Sequence, residues 1–167
     1  MAHTGNKLLR SLLRDVSRSF YLTVRVLPAR VRPQIGLAYL LARTTDTIAD
    51  TDLVPLEHRL GALQLFRERL LGVHQRPVDF GELVRHQSSA PERVLLEQSE
   101  VSLALLQTLT PADRQLVLEV LKTITSGQEL DLRRFAGASL DRVVALRTDA
   151  EPQPSPRRRS RMSGVRR

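Results

Sequence analysis

Thirty of the 167 residues are leucine, and they recur three and four positions apart. That spacing puts them on one side of a helix and leaves no sustained alternation to build a strand. Only six residues are aromatic and β-branched runs are short, which favours helices further. Leu8, Leu9, Leu12, Leu13 and Val16 place a first helix from about Asn6. Pro28 and Pro33 bracket a break near Ala29, and a second long helix is expected from Gln34 to Thr51. A third follows Pro55 on the stripe Leu56, Leu60, Leu63, Leu70 and Leu71, ending at Gly72 and Pro77. A short helix over Phe80 to Gln87 comes next, then a longer one opened by Pro91 and holding Val94, Leu95, Val101, Leu105 and Leu106. Thr110 as N-cap, Pro111 at the first helical position and Asp113 at the third open a last helix reaching Phe135. The fold class is therefore all-α.

Charge separates the chain into two parts. The formal charge is +8, but Pro152 to Arg167 holds six arginines and no acid. Without them 20 basic residues face 18 acidic ones, a net charge of +2 over residues 1–151. We expect a helical domain over residues 1–148 and a disordered Pro/Arg-rich tail over 149–167, with no specific nucleic-acid binding. A nucleic-acid binder acting through Arg157 to Arg161 is the rival reading, but the remainder offers no basic face or aromatic platform for it. The chain has no cysteine, so thiolate catalysis and Cys-ligated metals are excluded. The longest apolar run, Ile35 to Ala42, is far too short for a spanning helix, and no secretory signal is visible. A cytoplasmic location is the default, with peripheral membrane contact through arginines allowed.

The second long helix carries the chemistry. At about 100° per residue with Tyr39 at zero, Arg43, Asp46 and Asp50 all fall within an arc of about 60°. Leu37, Leu40, Leu41 and Ile48 fall on the other side. Asp46 and Asp50 stand one turn apart and can share a hard cation. On spacing alone, a wet face with an Arg43–Asp46 ion pair is the commoner outcome. The small neighbours Ala38, Ala42 and Ala49, and a tyrosine aligned with the charges, favour a packed site instead. His3, His58, His74 and His86 lack ligand spacing with one another, and no phosphate-binding glycine loop or G-x-S-x-G occurs.

Ser17-Arg18-Ser19-Phe20, then Leu27-Pro28, then Tyr39-x-x-x-Arg43, then Asp46-x-x-x-Asp50 resembles, in order and spacing, the squalene/phytoene synthase family. Ile124 to Leu132 is similar to that family's helix before its second half, and the likeness spans about residues 7–148. The resemblance implies the N-terminal part of the isoprenoid (trans-prenyl) synthase helical fold, with a central cavity for two isoprenyl diphosphates, farnesyl or geranylgeranyl. It implies Mg2+ on Asp46 and Asp50, diphosphate oxygens on Arg43 and on Ser17, Arg18 and Ser19, and Phe20 and Tyr39 lining the cavity. Tyr39, Arg43, Asp46 and Asp50 are then the catalytic set. NADPH enters only where a complete enzyme forms squalene. Gln128 and Asp131 fall either toward the cavity or on the helix surface.

The chain departs from that pattern after residue 50, where no second D-x-x-x-D follows. The Pro/Arg/Ser/Gly composition of 149–167 is that of GC-rich coding read out of frame, so a frameshift that replaced the second half is expected. A truncated and inactive synthase is the resulting expectation. The alternatives are a non-catalytic helical protein that binds prenyl diphosphate or partners a complete synthase, and a class I terpene cyclase. The Ser17–Phe20 segment argues against the cyclase.

Overall fold

Helix boundaries in the computed structural model follow the proline, threonine and glycine punctuation closely. It describes residues 2–135, with side chains from Lys7 onward; residues 136–148 of the expected domain and the expected tail lie outside. The described residues form eight helices and no strand: α1 (Ala2–Val16), α2 (Arg18–Val26), α3 (Arg32–Asp50), α4 (Leu56–Leu70), α5 (Gly81–His86), α6 (Ala90–Glu97), α7 (Ser99–Gln107) and α8 (Pro111–Phe135). Thr110 caps α8 as expected, its Oγ1 accepting from the Asp113 amide at 3.2 Å. Gly72 stops α4 in a left-handed conformation, φ 75°, which lets the Val73 amide reach the Glu68 carbonyl at 2.9 Å.

Two breaks are absent from the leucine pattern. The first helix is not continuous to Pro28: Ser17 adopts an extended backbone and its Oγ accepts from the Phe20 amide at 3.3 Å, ending α1 and starting α2. The helix after Pro91 is likewise divided at Gln98, where no glycine or proline marks the change. The first helix also starts earlier than Asn6, at Ala2.

The core gathers around α3. Leu40, Leu41 and Ile48 are fully buried, and each contributes about 1.5–3 kcal/mol. Leu9, Leu12 and Leu13 of α1, Leu63 and Phe66 of α4, Leu95 and Leu96 of α6, Leu103 and Leu106 of α7, and Val117 and Leu121 of α8 belong to the same continuous cluster. Three threonines of α3 are buried as well, at a cost unless bonded. Thr44 donates to the Leu40 carbonyl at 2.9 Å and Thr45 to the Ala42 carbonyl at 2.6 Å, so those hydroxyls are satisfied within the helix. The C-terminus of α3 is fixed by Arg59, which donates to the Ala49 carbonyl at 2.7 Å. α8 lies along α3 and closes this core.

Candidate functional site

Between residues 39 and 50, the only positions of α3 that escape full burial are Tyr39, Ala42, Arg43, Asp46 and Asp50. Over residues 39–50 the charged line expected from helical arithmetic is therefore the open side of an otherwise buried stretch of helix. Its aromatic end is anchored across the fold. Phe20 of α2 stacks on Tyr39 with ring centroids 3.8 Å apart and planes 14° from parallel. Ser17 caps α2, the helix that carries Phe20.

Arg43 and Asp46 both have partners from distant helices. The Arg43 guanidinium donates to Glu92 of α6 and lies 4.0 Å from Asp46. Burial would lower the arginine's pKa; the Glu92 hydrogen bond and charge, with Asp46 and Tyr39, outweigh it and raise the pKa. Asp46 accepts a hydrogen bond from the Gln128 amide of α8. Burial pushes the Asp46 carboxyl up, aided by the Asp50 and Glu92 charges and opposed by Gln128 and Arg43. The expected Arg43–Asp46 pair thus exists, but within a network of four residues from three helices. Arg43 and Asp46 keep 33% and 43% of their side-chain surface open, so a ligand can reach both.

The remaining expected residues are less engaged. Asp50 is exposed, and its carboxylate has no hydrogen-bond or ion-pair partner among the described residues. Arg18 and Ser19 are exposed at the start of α2, and Ser17 Oγ stands 3.5 Å from Ser19 Oγ. No hydrogen bond or ion pair joins this segment to Arg43 among the described residues. Of the two α8 candidates, Gln128 turns to Asp46 while Asp131 is exposed on the surface. Glu92 was not legible, since it pairs with a residue 49 positions away and looks locally like a first-turn acid.

The donor set bears on magnesium. Among the described residues no three His, Cys, Asp or Glu side chains gather into a metal cluster. Mg2+ needs less: one or two carboxylates serve when substrate phosphates complete the shell. Asp46 and Asp50 fit that requirement, and Gln128, which is bonded to Asp46, has a buried Oε1 without a hydrogen-bond partner.

Residues 13–146 match the family model for squalene/phytoene synthase. The chain belongs to the squalene/phytoene synthase family. Over 57 residues it is 46% identical to a presqualene diphosphate synthase of Sinorhizobium fredii, a stretch covering 34% of this chain and 20% of that protein. Over 60 residues it is 35% identical to a lycopaoctaene synthase of Botryococcus braunii, covering 36% of this chain and 14% of that protein. No solved structure matches. The all-α architecture agrees with the isoprenoid synthase fold of the squalene/phytoene synthase family.

Proposed function

We propose that the chain binds isoprenyl diphosphate as the first half of a head-to-head prenyltransferase site serving isoprenoid biosynthesis. The observation that carries this reading is the single open line of α3, with Tyr39, Arg43, Asp46 and Asp50 on it and Phe20 stacked at its end. In this reading Asp46 and Asp50 hold Mg2+ together with diphosphate oxygens. The metal supplies positive charge where the leaving diphosphate accumulates negative charge. Gln128 keeps the Asp46 carboxylate oriented. Arg43 trades its Glu92 contact for diphosphate oxygens, to which its forked donors are suited. Ser17, Arg18 and Ser19 contribute donors at the start of α2. The Phe20–Tyr39 pair presents ring faces to the allylic cation. Farnesyl and geranylgeranyl diphosphate are the proposed ligands, and NADPH belongs only to a complete squalene-forming enzyme. Peripheral contact with an anionic membrane, through arginines, is part of the proposal.

D-x-x-x-D occurs once in the sequence. Binding without turnover is therefore the reading for the chain alone, with the second aspartate-rich motif supplied elsewhere. Calorimetric titration with a non-hydrolysable farnesyl thiodiphosphate tests it. Affinity should rise on adding Mg2+, and Asp46→Ala should remove that rise, a loss of about tenfold or more. Binding indifferent to both Mg2+ and Asp46→Ala would sink the proposal. Product formed by the purified chain and abolished by Asp46→Ala would overturn the inactive part alone.

A further inference from the structure

Gln87 stands in the short connection between α5 and α6 and is only 8% exposed. A buried side-chain amide is costly unless it is bonded. Both ends of this one are. Its Nε2 donates to Thr51 Oγ1 at 3.4 Å, and its Oε1 accepts from the Ser89 amide at 3.1 Å. Thr51 is buried too and directly follows Asp50. Its hydroxyl donates to the Thr47 carbonyl at 2.6 Å. One glutamine therefore ties the last turn of α3 to the start of α6.

The Gln87 main chain adds to the tie. Its carbonyl accepts from the Arg93 guanidinium at 2.9 Å. Ser89 occupies the N-cap of α6, but its side chain makes no capping bond, so the Gln87 amide does the fixing there. The buried leucines of α6, Leu95 and Leu96, lie in its second half and anchor that half in the core. The first turn carries Glu92, the residue bonded to Arg43. Loosening Gln87 therefore moves Glu92 while Leu95 and Leu96 stay in place.

We infer that Gln87 is a positioning residue for the α3 line: it fixes the first turn of α6, holds Glu92 on Arg43 and so sets how readily Arg43 accepts a diphosphate. The diphosphate half rests on the function proposed above; the positioning half does not.

The test compares Gln87→Met, Glu92→Gln and the double variant in the full chain. Without ligand, nuclear magnetic resonance follows exchange of the Arg43 guanidinium protons with water, assigned by their loss in Arg43→Lys. Gln87→Met should speed that exchange about threefold or more, with the Leu95 and Leu96 amides still protected. Adding it to Glu92→Gln should speed nothing further, a non-additivity that a merely structural role would not give. Thr51→Val cuts the same tie from the α3 side and replaces Gln87→Met if that variant loses α6 protection. Titration with Mg2+-pyrophosphate should then show affinity raised about twofold by Gln87→Met and unchanged by it in the Glu92→Gln background. Unchanged Arg43 exchange with α6 protected, or equal acceleration with and without Glu92, overturns the positioning role. Faster exchange at unaltered pyrophosphate affinity overturns the diphosphate half. Faster exchange with no pyrophosphate bound by any form would overturn the proposed function and leave the positioning role standing.

Discussion

Arg43 is the residue on which two demands meet. It must hold the fold's α3–α6 contact through Glu92, and in the proposed function it must also receive a diphosphate. Glu92 is then a competitor of the ligand. Glu92→Gln keeps the size of the side chain and removes its charge. Affinity for Mg2+-pyrophosphate should rise about threefold or more, because an anion no longer faces a nearby carboxylate. A titration showing unchanged or weaker affinity would mean that Arg43 does not change partners. Asp46 yields a second expectation. A carboxyl whose pKa is raised by folding binds its proton more tightly in the native state than in the unfolded chain. Its contribution favours the fold at acid pH and is lost as pH rises through the raised value. Asp46→Asn cannot ionise and still accepts from Gln128. In the absence of metal its melting temperature should exceed that of the parent at pH 7. The gap should close as pH falls toward about 4. A variant melting below the parent at pH 7 would contradict this assignment.

At the scale of the helix, α8 illustrates how local chemistry translates into stability. Thr110 supplies one side-chain acceptor to the first turn, and Asp113 at the third position also accepts from Gln34 of α3 at 3.2 Å. Thr110→Ala should cost about 1 kcal/mol. That corresponds to a drop of about 2–4 °C in melting temperature, measurable by calorimetry. This cap, the stop at Gly72 and the long α3 were legible because each depends on residues a few positions apart. So was the line Tyr39, Arg43, Asp46 and Asp50, which needs only the helical repeat. The partners of that line were not. Glu92 and Gln128 reach it from helices 49 and 82 positions away, and no local pattern encodes such a meeting. The division at Ser17 is hidden for a different reason. Leu12, Leu13 and Val16 keep their helical spacing up to it, and a single serine cap overrides that run.

For the molecule as a whole, α8 is apolar on two sides. Val117 and Leu121 are buried toward the core, while Leu116, Val120 and Leu130 remain 62%, 53% and 59% exposed. The exposed three lie within about 80° of one another around the helix axis. A stripe of this kind on a folded chain drives association. Sedimentation velocity should show concentration-dependent self-association of the isolated chain, reduced in Leu116→Gln/Val120→Gln. Association of equal strength in that variant would place the sticky surface elsewhere. The family match over residues 13–146 and the open line of α3 agree on one point. The folded region is organised around α3, whose ends and faces every neighbouring helix helps to fix.

The Gln128–Asp46 hydrogen bond has a consequence for synthesis. α3 ends at Asp50 and α8 begins at Pro111. At translation rates of about 5–20 residues per second, roughly 3–12 seconds pass between the emergence of the two helices. During that interval α3 lacks its α8 neighbour, and Asp46 lacks its amide donor. The nascent chain is then at its most vulnerable to chaperone capture or proteolysis, and slowing the ribosome anywhere between the two helices lengthens that window.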